Sequence, residues 1–534
     1  MKSKRLLAVL SLVLIVAILL PGCAAPQPQV VEKVVEKVVT QVVEVEKQVE
    51  VEKIVTQVVE KEVEKLVEVV ATAVPGSINS ADKAVEVAKE KCAGKEINVV
   101  WESGLQPQDP LTFAPQWDAL TGMKTTVVEM AYGDLYTKQM QDAVTGGGAY
   151  DVITIVPSWL IDFVDAGLVE PLNPYIDQYM NKADLEDYLP VYEAAGYGRL
   201  GDTWYGLPDD GDVFVQYYRK DIYEDEANKA EFKAKYGYDL APAKTYQEFM
   251  DICGFLTEKL APDVYGCAYQ HAAGQAFDWF MGPFSGAGGQ WFDPDTMKAT
   301  LNSDSGVKVL SDMVTLTKSM PPGVQTWTFT EILSAWMDGK VATIITWPPI
   351  GRWSEGVGLA TKQLEWVPPS KVVGKVGYAP EPGGRSMLAG NFALGVSPNS
   401  KNKECAYLFI QWMNSPDVSL QRVMLPYALR DPFRKSHYSS PLYRALWTKA
   451  GDYLDTLESA GMAGQYELGI PGSREYAEAV DQAVTAAYAG TDPKAALDEA
   501  AKKFDEITER KGVDAQKAAY AKWLSGEWNQ PGPR

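Results

Sequence analysis

Residues 146–172 constrain the fold more than any other stretch. A glycine turn (Gly146, Gly147, Gly148) leads through Tyr150 and Asp151 into a nearly continuous apolar run, Val152 to Val156. That is the pattern of a strand buried on both faces. Pro157 breaks the run, the spacing predicts a short helix over 159–165, and Gly167 stops it. A strand that feeds a helix through a Pro-Ser-Trp loop puts side chains at the end of a sheet strand, where α/β proteins hold ligands. Neighbouring segments repeat the alternation. A strand is expected over 96–101, ending in Glu102-Ser103-Gly104, then a helix over 114–121, a strand over 124–130 and a helix opening at Tyr132. Strands and helices at this spacing predict a parallel, doubly wound sheet.

The 534 residues suffice for two or three domains, and 46% hydrophobic content supports sizeable cores. A net charge of −21 argues against nucleic acid or anionic membrane surfaces as partners. Residues 1–20 read as an export signal: Lys2, Lys4 and Arg5 precede an apolar run from Leu6 to Leu20. Leu20-Pro21-Gly22-Cys23 resembles a bacterial lipobox, which implies cleavage before Cys23 and thioether lipidation of it; a plain signal peptide is the alternative. Of the other four cysteines (Cys92, Cys253, Cys267, Cys405), Cys253 and Cys267 are candidates for a disulfide. It would close a loop of about 14 residues and contribute roughly 3 kcal/mol. Two buried thiols are the alternative, and the spacing fits no zinc pattern.

From about Val30 to Val70 the chain is repetitive: Val-Val-Glu-Lys occurs twice, and Val38–Glu44 recurs with little change at Ile54–Glu60. Apolar residues every three to four positions with interleaved Glu and Lys suit a coiled coil between partners. No globular core can form from this composition, so a solvated tether competes with a self-associating stalk. After the linker Val74-Pro75-Gly76-Ser77, a helix is expected over 81–91. Further on, 201–208 reads as a hairpin, 213–219 and 340–347 as strands and 329–336 as a helix. Thr245 with Glu248 forms a capping-box signature before an apolar helix. Residues 383–396 form a Gly-marked strand, 403–413 a helix, and the Ala-rich tail over 475–510 is helical.

Five segments in this order resemble the extracellular solute-binding proteins of bacterial ABC importers, the family with sugar- and polyol-binding members. They are Tyr150-Asp151-Val152 with Trp159, Gly167-Leu168 and Pro171-Leu172; Pro208 with Tyr218-Arg219-Lys220-Asp221; Thr245 to Phe249; Asp338 to Trp347; and Leu394-Gly395-Val396 with Ala406, Phe409, Ile410 and Trp412. The tail, with Gly490 and Pro493, resembles that family's C-terminal helix pair. The resemblance implies an α/β, two-lobe periplasmic-binding-protein fold (type II, the Venus-flytrap arrangement) with crossing hinge strands. Its implied domains are a lipoprotein signal at 1–22, an anchored tether or stalk at 23–76 and a solute-binding domain at 77–534. Lobe 1 would take about 95–210 and 389–425, lobe 2 about 211–388 and 426–470, and the C-terminal helices about 471–534. Crossings are expected near 209–213, 388–391 and 421–430, where Gly211, Gly390 and Pro426 suit a hinge.

A sugar presents apolar CH faces and a rim of hydroxyls, so its site needs aromatic rings and fixed polar groups. The chain has 15 Trp and 27 Tyr, many in expected loops. Candidate ligand-binding residues are Glu102, Ser158, Trp159, Asp209, Asp212, Phe277, Trp279, Trp291, Trp347, Asn391 and Arg430. Trp159 is the expected stacking ring; helix–sheet packing is its alternative, and a salt bridge is Arg430's. The adjacent Tyr217 and Tyr218 would point to opposite faces of a strand, which disfavours a ferric site. His271 and His437 are the two histidines, and no hydrolase elbow, phosphate loop or metal spacing accompanies them. No catalytic residue, cofactor or metal is therefore expected. The expected function is capture of a carbohydrate or polyol outside the cell membrane and delivery to a permease. A secreted glycosidase and a binding protein for peptide or iron are the alternatives.

Overall fold

The computed structural model describes residues 79–526, apart from Leu105 and Ala195. The leader, Cys23 and the repeat over 30–70 lie outside the described residues. Among the described residues no helix is long and apolar enough to cross a membrane.

Helix α1 (Ser80–Lys91) starts on Asn79, whose side chain accepts hydrogen bonds from the N–H groups of Ala81 and Asp82 at 2.7 and 3.3 Å. Strands β1 (Glu96–Glu102), β2 (Lys124–Met130) and β3 (Val152–Ile155) run parallel, with β1 between the other two. Helices α2 (Gln108–Thr121) and α3 (Tyr132–Thr145) connect them. The break after β3 is a short turn of 3-10 helix, Pro157–Trp159, running into α4 (Leu160–Asp165). The strand at the far edge is β4 (Gly206–Pro208).

A second sheet has β5 (Val215–Arg219) at its centre, antiparallel to β6 (Thr343–Thr346) and to β7 (Val376–Pro380). Two helices serve it. In α5 (Tyr246–Leu260) the expected capping box forms, with the Glu248 N–H donating to Thr245 Oγ1 at 3.2 Å and the Thr245 N–H donating to the Glu248 carboxylate. Helix α6 (Ala276–Gly286) is buried along nearly its whole length. Helix α7 (Phe329–Met337) precedes β6.

The last strand, β8 (Ala393–Val396), returns to the first sheet and lies between β3 and β4, antiparallel to both. The first sheet is thus mixed, where the strand–helix alternation predicts a parallel one. The reason is connectivity: β8 arrives directly from the second sheet and enters at the end where β3 finishes, pairing Ala393 with Ile155. Helix α8 (Lys403–Asn414) then packs on α1, and a disulfide between Cys92 and Cys405 joins the two. Trp117 on α2 packs against Phe409 and Trp412 of α8, with ring centroids 5.9 and 5.4 Å apart. Cys253 and Cys267 are also bonded, tying α5 to the segment beside β6. The tail forms α9 (Ser473–Tyr488), α10 (Pro493–Lys511) and α11 (Val513–Ser525).

Candidate functional site

Residues 209–214 leave β4 for β5, and residues 387–392 run back toward β8 beside them. The Asp209 N–H donates to Phe392 O at 2.9 Å and the Phe214 N–H to Met387 O at 2.8 Å, so the two crossings form an antiparallel pair. Segment 428–433 lies against them. At Gly211 an added Cβ would sit 2.0 Å from Pro432 O, so the close approach requires glycine. Gly390 has φ +82°, and a Cβ there would meet Asp212 Oδ2 and Trp347 Nε1 at 3.0 Å each.

Buried charge ties these segments together. Arg422 donates through Nε to Asp109 at 2.6 Å and through Nη1 to Asp209 at 2.8 Å. Arg430 lies 3.0 Å from Asp209 Oδ2 and 3.1 Å from Asp210 Oδ2, and Arg352 faces Asp431 at 3.7 Å. Burial raises the carboxyls of Asp210, Asp212 and Asp431 above the usual range; repulsion from neighbouring carboxylates adds to it at Asp210 and Asp212, while Arg352 and the Asp212 side chain oppose it at Asp431. Oxygens of these three lie within 4.8 Å of one another, the grouping that could hold a metal ion among the described residues. Arg430 and Arg352 already stand beside it.

Next to the crossings is a cavity of about 310 Å³. Its walls come from both sheets: Glu102 ends β1 and Tyr132 follows β2, while Gln275 precedes α6, Phe329 opens α7 and Trp347 follows β6. Asp212, Gly390, Phe392 and Leu429 supply its floor from the three crossings. Trp347 is held by an Nε1–H bond to Ala389 O at 2.9 Å and by edge-on contacts to Phe214 and Trp279, with centroids 5.0 and 5.3 Å away. Glu102 is half-buried; burial pushes its carboxyl up to about 7 against the opposing pull of Arg430. The cavity therefore offers rings, carboxylates and amides, and among the described residues no Lys, Arg or His lines it.

Of the residues predicted from sequence, the structure brings Glu102, Asp212 and Trp347 together here. The others sit behind the wall or elsewhere. Trp159 is 1% exposed, enclosed by Tyr132, Tyr136 and Phe163 at 5.7, 5.4 and 6.3 Å and by the Arg474 guanidinium at 5.9 Å. Helix–sheet packing takes the ring expected to stack on ligand, and Tyr132 stands between it and the cavity wall. Ser158 donates to Glu467 at 2.7 Å. Asp209 and Arg430 belong to the ion network, and Arg430 pairs with Asp209 and Asp210 rather than with Asp431. Asn391 donates to Asp212 O at 2.7 Å and accepts from the Tyr197 hydroxyl at 3.0 Å, which holds the two crossings together.

In the second sheet's core, Trp279 donates from Nε1 to Ile345 O at 3.0 Å and backs Trp347, while Phe277 is buried in the same helix. Trp291 packs on Phe284 and Phe504 and borders a separate cavity of about 620 Å³ with Tyr520 and Trp523. Tyr217 is buried and donates to Trp347 O and Pro348 O, whereas Tyr218 packs on Tyr223. Sequence reasoning missed Tyr132, Gln275, Phe329 and Phe392. Tyr132 was findable, since it lies just beyond the end of a parallel strand, beside the one that Glu102 ends.

Residues 112–419 match the family described as bacterial extracellular solute-binding protein, and the chain belongs to that family. A probable amino-acid ABC transporter periplasmic-binding protein of Sinorhizobium fredii is 27% identical over 330 residues, covering 61% of this chain and 70% of its own length. The erythritol/L-threitol-binding protein of Mycolicibacterium smegmatis is 23% identical over 401 residues, covering 72% and 81%. Among solved structures, a solute-binding protein from Agrobacterium radiobacter in complex with ribitol has TM-score 0.64 at 22% identity, covering 78% of this chain and 99% of that one. Another from Agrobacterium vitis with bound D-mannitol has TM-score 0.63 at 23% identity, with the same coverage. The fold is that of the two-lobe periplasmic binding proteins, with the 310 Å³ cavity where the two sheets and the crossings converge.

Proposed function

We propose that this chain captures a carbohydrate or polyol for an ABC importer, with the solute seated in the cavity lined by Glu102, Asp212 and Trp347. The observation that carries the reading is the cavity's chemistry: Trp347 and Phe329 offer faces for CH groups, and Glu102, Asp212, Gln106 and Gln275 offer partners for hydroxyls. A volume of 310 Å³ lies near the lower end of the roughly 300–1,000 Å³ range of small-molecule sites, which suits one monosaccharide or alditol. Relatives named for mannitol and for erythritol and L-threitol support the same class.

In this reading lobe 1 spans about 95–210 and 389–425, and lobe 2 about 211–388 and 426–470. The ligand bridges them and binds the closed form better than the open one, so capture shifts the population toward closure, and a membrane permease receives the closed form. Cys23 carries lipid, the repeat over 30–70 spaces the binding body from the outer face of the membrane or self-associates, and the protein performs no chemistry on its solute. The buried state of His271, whose imidazole is held down to about 4 by burial, suits a non-catalytic histidine. A thermal-shift panel tests the function. Stabilisation by ribitol, D-mannitol, erythritol or a monosaccharide is expected; stabilisation by peptides alone, or turnover of an oligosaccharide, would overturn it.

A further inference from the structure

We propose that the captured solute carries a protonated amine beside its hydroxyls, as an amino-alditol or aminosugar does. The inference rests on the carbohydrate-or-polyol reading above. The cavity presents two acids, Glu102 and Asp212, the second hydrogen-bonded to Asp431 behind it, and among the described residues no Lys, Arg or His lines it. The guanidinium groups behind its walls are engaged. Arg430 is held by Asp209 and Asp210, and Arg474 pairs with Glu478 at 2.8 Å while lying 5.8 Å over the Tyr132 ring. The Glu102 carboxyl is in no salt bridge among the described residues, and the attraction on its charged form comes from Arg430, which Asp209 and Asp210 already hold. Behind Tyr132 lie two more acids: Asp278 and Glu467 are buried, and Asp278 Oδ1 has no hydrogen-bond partner among the described residues.

A neutral alditol can donate hydroxyls to Glu102, but closure around it would desolvate further an acid that burial already pushes up to about 7, with Arg430, itself held by Asp209 and Asp210, as the opposing charge. An ammonium group supplies the countercharge and donates hydrogen bonds to the same oxygens. Phe329 and Trp347 line the same cavity, and aromatic rings suit a cation as well as CH groups, as Arg474 over Tyr132 and Arg430 over Phe392 already illustrate. An α-amino acid fits less well, because its carboxylate would meet the same two acids with no Lys, Arg or His in the lining among the described residues.

Titration calorimetry on the purified chain with matched pairs tests this: D-glucamine against D-glucitol, and D-glucosamine against D-glucose and N-acetyl-D-glucosamine. The expected result is that the free amine of at least one pair binds about tenfold tighter or more than its neutral partners. A folded Glu102→Gln variant is expected to lose most of that ratio. Neutral members binding as tightly as their amines would overturn the inference and leave the carbohydrate reading standing. No binding by any member, neutral or amine, would count against both. Where Glu102→Gln fails to fold, the wild-type ratios alone decide.

Discussion

Replacing Arg430 with Met is the sharpest test of how the crossings are held. The side chain is fully buried, lying 3.0 Å from Asp209, 3.1 Å from Asp210 and 3.7 Å from Asp109. Methionine fills most of the volume but leaves Asp109 and Asp209 with Arg422 as their remaining close guanidinium and takes away the ion pair of Asp210. Breaking a buried ion cluster by removing one partner costs about 3–5 kcal/mol, a large fraction of the roughly 5–15 kcal/mol that holds a folded domain. The loss depends on pH. Arg430 lowers the carboxyls of Asp109 and Asp210 against a larger upward push from burial, so its removal raises both further. A carboxyl raised in the folded state binds more protons there than in the unfolded chain, so the stability it contributes is present at low pH and is lost as pH rises. The deficit of Arg430→Met should therefore be largest above neutral pH and shrink on mild acidification. Urea unfolding followed by tryptophan fluorescence at several pH values measures it. A variant within about 0.5 kcal/mol of wild type at all pH values would refute the reasoning, since that is the range of uninvolved surface substitutions.

Three further expectations follow from the packing and the titrating groups. Trp159→Ala should cost roughly 3–5 kcal/mol in stability through the cavity it leaves among Tyr132, Tyr136 and Phe163, seen as a lower denaturant midpoint; a midpoint equal to wild type would mean the ring is not packed there. Cys405→Ala removes a bond that closes a 313-residue separation and should cost about 2–5 kcal/mol, measured against wild type with and without reductant. Reductant should then destabilise the variant less than wild type. For Glu102, raised to about 7 from 4.5, the folded protein gains protons relative to the unfolded chain between those values, so stability falls as pH rises across that window. Arg430, Tyr132 and Asp212 face the same region, so Glu102→Gln should flatten that slope without abolishing it; an unchanged slope would contradict the shift.

Much of the fold was legible because local pattern and tertiary role agree. The apolar runs at β1 and β3, the capping box at Thr245 and the strand feeding Trp347 all satisfy their local rules in place. Glu102 and Trp347 could be found since one ends a strand and the other follows one, and Asp212 since it lies on a crossing. The sense of β8 was not legible, because it depends on a return from the second sheet rather than on anything within its four residues. The ion network draws Asp109, Asp209, Arg422 and Arg430 from segments far apart, so spacing carries no trace of it. Trp159 shows a further limit. A tryptophan at a helix start can face a cleft or the sheet, and Tyr132, Tyr136 and Phe163 turn it toward packing. The pairing of Cys92 with Cys405 likewise follows from α1 meeting α8.

The central claim is that solute binds where the two sheets and the crossings meet, against the Trp347 ring. Calorimetric titration of Trp347→Ala beside wild type, with whichever polyol or sugar stabilises the wild-type protein most, tests it directly. Loss of one ring's stacking and desolvation, about 1–3 kcal/mol, predicts that affinity falls by roughly tenfold or more while the variant stays folded. Undiminished affinity in a folded Trp347→Ala would place the solute elsewhere and contradict the assignment.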